Sequence, residues 1–314
     1  MKSGGFLEAS NNGLSVVIPC FQSELTLREV ATGIRNVLKI HGLKKFEIIL
    51  VLDGPTDGTT RIAQQLEKLF KECRVVELSR NFGQHAAVYA GISVAKFGFI
   101  ATMDDDGQHI PSELAVLIRA INEQVDLVYG IPIQNEHSSL RNFASITFKV
   151  GLYRILGVKN AREISAMRLF RKALLQNVDF QRLSSGVVDI PLHWNTTRIE
   201  TIPVKMSKRI MGESNYTVRS LFRFAIQMVI GYSVKPLKAA LIIGLLGCFA
   251  SAGLTFYFLY EYFNGKVKVA GFSTITILIT TLSSIQLVTL GILGEYVASI
   301  HQKTMGKPMF NIKR

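Results

Sequence analysis

Three consecutive aspartates, Asp104-Asp105-Asp106, are the most chemically loaded stretch of the chain. Adjacent carboxylates repel one another, so keeping them together is costly without a cation. Alternate residues of an extended segment face the same way, which lets Asp104 and Asp106 point to one side of a strand end. That arrangement suits a hard divalent ion held by one or two carboxylates and shared with substrate phosphates. It suits equally a solvated loop that caps the next helix, with Asp106 or Ser112 near the helix start. Three other clusters carry polar chemistry: Pro19-Cys20-Phe21-Gln22-Ser23-Glu24, Asp53-Gly54-Pro55-Thr56-Asp57-Gly58-Thr59 and Arg80-Asn81-Phe82-Gly83-Gln84-His85. For Asp53 and Asp57, turn formation and helix capping compete with a binding role.

Each cluster follows a short apolar, β-branched run. The runs are Leu14–Cys20, Phe46–Asp53, Cys73–Ser79 and Phe99–Asp104, with a fifth at Asp126–Ile131. Amphipathic patterns such as LTLREVATGIRNVLK and TRIAQQLEKLFKE separate them. Strands apolar on both faces, alternating with helices, predict a mostly parallel sheet covered on both sides. Ligands of such sheets bind beyond the carboxyl ends of the strands, where all four clusters lie. No G-x-G-x-x-G follows the first strand, and no P-loop motif occurs, so dinucleotide and P-loop sites are unsupported.

The 314 residues are 48% hydrophobic and 19% charged, with a formal net charge of +13. The apolar excess is concentrated in two uncharged runs, Ala239–Tyr260 and Val269–Gly294, each longer than the roughly 20 residues that span a bilayer. Only Glu261–Lys268 separates them, which predicts a transmembrane hairpin. The basic residues Arg219, Arg223, Lys235, Lys238, Lys303, Lys307, Lys313 and Arg314 flank its outer ends, placing both termini in the cytoplasm of an inner-membrane protein. No apolar stretch precedes residue 14, so the N-terminal part is expected to stay cytosolic. Leu221, Phe222, Phe224, Ala225, Met228 and Val229 form one face of an expected interfacial helix, with Arg219 and Arg223 on another. The expected organisation is a flexible 1–13, a catalytic domain at 14–215, an interfacial region at 216–235, the hairpin at 236–300 and a basic cytosolic tail at 301–314. The charge suggests an anionic membrane and an anionic substrate. Nucleic acid is disfavoured because no basic stripe with interleaved aromatics occurs. Gly244, Gly247, Gly291 and Gly294 are spaced for close helix approach, either within the hairpin or in a homo-oligomer. Cys20, Cys73 and Cys248 form no C-x-x-C pair, which excludes a disulfide scaffold or cysteine-rich zinc site.

The series VVIPCFQSE, VLDGPTDGT, LSRNFGQHAA and MDDDGQHIP resembles the motif series of family 2 glycosyltransferases, in order, strand placement and spacing. With the hairpin, the chain resembles the polyprenyl-phosphate branch of that family over roughly Leu14–His301. The resemblance implies an α/β domain of the A-type glycosyltransferase fold, Rossmann-like with a mostly parallel sheet, followed by interfacial helices and two transmembrane helices. It also implies Pro19, Phe21, Glu24, Asp53, Arg80, Gly83, Gln84 and Asp104 at the nucleotide, and Asp104 with Asp106 on Mg²⁺ or Mn²⁺. Relatives often have two adjacent aspartates at the second motif, whereas this chain has Leu52 before Asp53.

The acceptor is expected at the middle segment. Arg141 and Arg168 match positions for the lipid phosphate or donor diphosphate. Arg209, Gly212, Ser214 and Tyr216 resemble a phosphate-gripping loop ahead of the membrane helices; Arg209, Ser214 and Tyr216 are the acceptor candidates alongside Arg141. Where relatives carry an aspartate before the matching F-R, this chain offers Glu163, which joins Asp106 and Arg168 as catalytic candidates. The implied reaction is single-step, inverting transfer from a nucleotide diphosphate sugar, a UDP-sugar, to a polyprenyl phosphate such as undecaprenyl phosphate. Its product would serve cell-envelope glycan modification. A lipid phosphate, with a second pKa of about 6, is largely ionised at neutral pH and needs no strong general base. Alternatives are a non-lipid acceptor or a non-catalytic scaffold that retains the fold.

Overall fold

The computed structural model describes residues 12–133, 156, 164–180, 187–207, 225–226, 228–264, 271–306 and 308–313. The chain divides into two compact units, Met1–Tyr216 with Gly306–Arg314, and Thr217–Met305.

The first unit is built on strands β1 (Leu14–Cys20), β2 (Phe46–Leu52), β3 (Cys73–Glu77), β4 (Phe99–Thr102), β5 (Leu127–Pro132), β6 (Arg168–Arg171) and β7 (Ile199–Val204). They form one sheet in the order β3-β2-β1-β4-β6-β5-β7. Every residue of β1, β2 and β4 is buried, as their unbroken apolar runs require of inner strands. β3, at the sheet edge, buries only Cys73 and Val76, with Arg74 exposed and Val75 and Glu77 half-buried. Pairings among β1–β4 and between β5 and β7 are parallel, while β6 runs antiparallel to both β4 and β5. The sheet is therefore mostly parallel as expected, with β6 as the inserted exception.

Helices cover both faces. α1 (Leu27–Ile40) buries Leu27, Val30, Ala31, Ile34 and Leu38, a stripe at three- and four-residue spacing. α2 (Thr59–Leu69) buries Ile62, Ala63 and Leu66 in the same manner. α3 (Gln84–Val94) is apolar on nearly all sides and buries Ala86–Ile92. Two shorter helices follow, α4 (Leu114–Ala120) and α5 (Asp189–Asn195).

The second unit holds α6 (Lys235–Phe263) and α7 (Phe272–Thr304). Lys235–Leu254 and Thr281–His301 are long and apolar enough to cross a membrane, with mean hydropathies of 1.9 and 1.3. At about 1.5 Å per residue either helix exceeds a ~30 Å hydrocarbon layer. Leu241, Ile243, Phe249 and Phe256 are exposed on α6, an apolar surface suited to lipid. Residues 228–232 are helical, with Ala225 and Met228 of the expected apolar face buried. A Cβ added at Gly244, Gly247, Gly291 or Gly294 would meet nothing within 4 Å among the described residues, so no close helix approach is seen at these glycines there.

Two boundaries differ from expectation. α7 runs to Thr304, past the end of the apolar run at Gly294, and Met305 N–H donates to the His301 carbonyl at 2.9 Å. Residues 306–314, expected within a basic tail, belong to the first unit. Ile312 bridges Leu78 in antiparallel fashion just past β3. Backbone hydrogen bonds thus recruit a segment whose composition signals only charge.

Candidate functional site

The four strand-end clusters converge on one cavity of about 720 Å³. It is lined by Pro19–Thr26, by Asp53 and Asp57, by Asn81, Gly83 and Gln84, and by the three aspartates 104–106. The walls are stitched to one another chiefly by backbone donors and short side chains.

The loop after β1 makes most of these stitches. Phe21 N–H donates to Asp105 Oδ2 at 2.9 Å. Thr26 Oγ1 donates to the Asp105 carbonyl at 2.5 Å. Towards the second loop, Gln22 Nε2 donates to Thr56 Oγ1 at 2.6 Å, Ser23 N–H to Thr59 Oγ1 at 2.8 Å and Glu24 N–H to Asp57 Oδ2 at 3.1 Å. The Glu24 carboxylate accepts from Gly58 N–H at 3.0 Å and pairs with Arg61 at 3.2 Å. A Cβ at Gly58 would lie 2.2 Å from Glu24 Oε1, so a larger residue there would push the Glu24 carboxylate aside.

Asp53 is 2% exposed at the end of β2. Its two carboxylate oxygens accept from Phe82 N–H at 2.7 Å and Gly83 N–H at 2.8 Å. Burial raises its pKa, while these two donors pull it down. Gly54, at φ +62°, packs against the backbone of Arg80 and Asn81, where an added Cβ would lie 2.7 Å from the Asn81 nitrogen. The second loop therefore holds the third. Arg80 is exposed, with its guanidinium 4.7 Å from the centroid of the Phe82 ring.

The aspartates divide their work. Asp104 Oδ1 accepts from Gln84 Nε2 at 2.6 Å, and Asp104 N–H donates to His109 Nδ1 at 3.0 Å. Burial and the neighbouring Asp106 charge raise the Asp104 pKa, against the pull of His109, Arg168 and Gln84. Asp106 Oδ1 accepts from Gln108 N–H at 3.0 Å, closing the turn at Gly107. Asp105, turned into the first loop, has its pKa pushed up to about 6 by burial. Among the described residues no cluster of three or more metal-ligating side chains occurs. Two carboxylates facing a cavity, one destabilised by burial and by the other, nevertheless fit a hard cation that completes its shell with substrate oxygens and water.

Arg168 does not line the cavity. It is 3% exposed in β6, opposite Thr102 of β4. Its Nε donates to Thr102 Oγ1 at 2.9 Å, and its NH1 group is ion-paired to Asp189 Oδ1. Tyr129 Oη also donates to that oxygen, at 2.8 Å. Burial opposes both charges, but Arg168 and then Tyr129 hold the Asp189 pKa below the ordinary range. Half-buried His85 has its pKa pushed down to about 4 by desolvation, with Asp189 and Arg168 acting in opposite directions.

Of the anticipated site residues, the cavity gathers Pro19, Phe21, Glu24, Asp53, Gly83, Gln84, Asp104 and Asp106. Arg80 and Arg168 lie outside its lining. Arg141, Glu163, Arg209, Ser214 and Tyr216 fall outside the described residues. Sequence reasoning missed Asp189, Thr102 and Tyr129, and it missed the stitching roles of Asp105, Thr26 and His109. The one signal for Asp189 was a lone carboxylate in the run VVDIPL.

A model described as glycosyl transferase family 2 matches residues 15–179. A curated relative, the undecaprenyl-phosphate 4-deoxy-4-formamido-L-arabinose transferase of Pseudomonas paraeruginosa, is 27% identical over 311 residues, covering 96% of this chain and 89% of its own. Among solved structures, mannosyl-3-phosphoglycerate synthase from Rubrobacter xylanophilus superposes with a TM-score of 0.53 at 15% identity, covering 71% of this chain and 73% of its own. Glucosyl-3-phosphoglycerate synthase from Mycobacterium tuberculosis, in complex with Mn²⁺, UDP and glucosyl-3-phosphoglycerate, superposes with a TM-score of 0.52 at 17% identity, covering 72% and 81%. The structural likenesses show the A-type glycosyltransferase fold.

Proposed function

The chain belongs to glycosyl transferase family 2, and from that premise we propose that it moves a sugar from a UDP-sugar to a polyprenyl phosphate at the cytoplasmic face of a membrane. The observation that carries the reading is the single cavity in which four strand-end loops bring Asp104 and Asp106 opposite Phe21, Gln84 and the Asp53-held turn. The acceptor class is supported by the name of the Pseudomonas relative and by the two apolar helices.

In this reading the pocket between Phe21 and the Phe82–Gly83 turn takes the nucleotide. Asp53 shapes that pocket by holding the turn, and Glu24 fixes the first loop against the second. Asp104 and Asp106 would hold Mg²⁺ or Mn²⁺, which supplies charge stabilisation for the departing diphosphate. Arg168 adds positive charge close to Asp104 without entering the cavity, and Asp189 keeps it in place. Arg141, Arg209, Ser214 and Tyr216 are assigned to the acceptor phosphate, with Glu163 near the reaction centre. The attacking oxygen belongs to an already ionised phosphate, so positioning supplies much of the catalysis.

The test uses purified full-length protein in detergent, with Mg²⁺ or Mn²⁺ and undecaprenyl phosphate. Labelled nucleotide sugars are screened for transfer into the organic phase. The expected result is transfer that requires lipid and metal and falls about a hundredfold or more in Asp106→Asn. Transfer without the lipid would replace this acceptor with a soluble one, and nucleotide binding without transfer to any acceptor would point to a scaffold.

A further inference from the structure

β3 is the last strand of the sheet, and its outer edge would otherwise present unpaired backbone groups. The C-terminal segment pairs with the carboxyl end of that edge. Lys313 N–H donates to the Glu77 carbonyl at 2.7 Å, and Ser79 N–H donates to the Asn311 carbonyl at 2.9 Å, around the Leu78–Ile312 bridge. Lys313 Nζ lies 2.7 Å from Glu77 Oε1, and Phe310 is 5% exposed beside this pairing. The inner edge of the same stretch is held by β2, with Leu78 N–H donating to the Leu52 carbonyl at 2.9 Å.

The position of this pairing matters more than its extent. It stops at Ser79, and the next residues are Arg80–Gln84, of which Asn81, Gly83 and Gln84 line the cavity. Asp53 and Gly54 grip that loop from the inside. Residues 311–313 grip its root from the outside. Taking the site as the nucleotide pocket proposed above, we propose that the C-terminal segment, through the main chain of residues 311–313 and not through their side chains, is a positioning element for nucleotide binding. An added antiparallel strand fixes its partner through main-chain bonds. Here it fixes the residues from which the Arg80–Gln84 turn departs.

The backbone bond and the exposed ion pair separate cleanly. Lys313→Pro removes the donor to Glu77 and the cation together, whereas Lys313→Met removes only the cation. An exposed ion pair contributes little. UDP binding in the presence of Mn²⁺ is measured by calorimetry on full-length protein in detergent, alongside steady-state transfer and thermal unfolding. Lys313→Pro is expected to weaken UDP binding about tenfold and raise the donor KM to match, with kcat and the lipid KM little changed and Lys313→Met near wild type. Unchanged UDP affinity in Lys313→Pro overturns the proposal, including where its melting temperature falls. Recovery of activity on mixing a chain truncated after Met305 with Asp106→Asn chains would assign the segment to a second copy and overturn the within-chain form. No UDP binding by the wild type would instead overturn the nucleotide-site reading itself.

Discussion

Asp105 stands between the two carboxylates that face the cavity, yet its oxygens serve the protein. Oδ2 takes the Phe21 N–H, and the carbonyl takes the Thr26 hydroxyl. An amide oxygen can accept the same bond, so Asp105→Asn is expected to keep transfer within about tenfold of wild type. Asp104→Asn and Asp106→Asn should each lose about a hundredfold or more. Parallel rate measurements at saturating metal decide this, and equal losses in all three variants would contradict the division of labour. The buried Arg168–Asp189 pair makes a second prediction. Removing one partner strands the other charge in the core, so Arg168→Met or Asp189→Leu should each destabilise by about 3–5 kcal/mol. The double variant should be more stable than either single one, since it strands neither charge. Thermal unfolding of the four proteins tests the coupling, and simple additivity would show that the pair does not behave as a unit.

At the scale of elements, the stitches join loops that are distant in sequence, and this explains how much could be read in advance. The inner strands β1, β2 and β4 were visible because burial on both faces leaves unbroken apolar runs. The cavity lining was visible because parallel strands deliver their carboxyl ends to one rim. β6 was not, because four residues bounded by Arg168 and Arg171 carry no periodicity. Arg168 reads in sequence as a phosphate ligand, and its ion pair with Asp189, 21 residues further on, is announced by no local pattern. The root of β3 offers a pH test at this scale. Lys39 and Arg35 on α1 sit 2.8 and 3.3 Å from the Glu72 carboxylate and, with Lys39 contributing most, lower its pKa from 4.5 to about 2. A depressed folded-state pKa means that the unfolded chain binds the proton more readily. The stabilisation is thus full above about pH 5 and is lost as pH falls from 4.5 towards 2. Melting temperatures of wild type and Glu72→Gln should differ above that window and converge below it. A gap that persists unchanged at pH 2 would remove this carboxylate from the account.

For the whole molecule, the path of the chain constrains its topology more firmly than the flanking charges did. It leaves the first unit after Tyr216, passes through α6 and α7, and rejoins that unit at Gly306. A chain that departs from a unit on one side of a bilayer and returns to it must cross an even number of times. Two spans meet that condition, and one span with one surface helix does not. Basic residues at both outer ends of the hairpin predict that the shared side is the cytoplasmic one. The residues around Lys266, between the two helices in sequence, should then be exposed on the far side. In intact cells a membrane-impermeant thiol reagent is expected to label Lys266→Cys, while a cysteine at Arg61, on an exposed position of α2, becomes reactive only after lysis. Cys20 and Cys73 are buried, so neither should contribute background in the folded protein, and Cys248→Ser in both variants removes the third thiol. Labelling of both sites before lysis would contradict the two crossings, whereas labelling of the Arg61 site alone would keep them and reverse the orientation, overturning the cytoplasmic placement of the cavity.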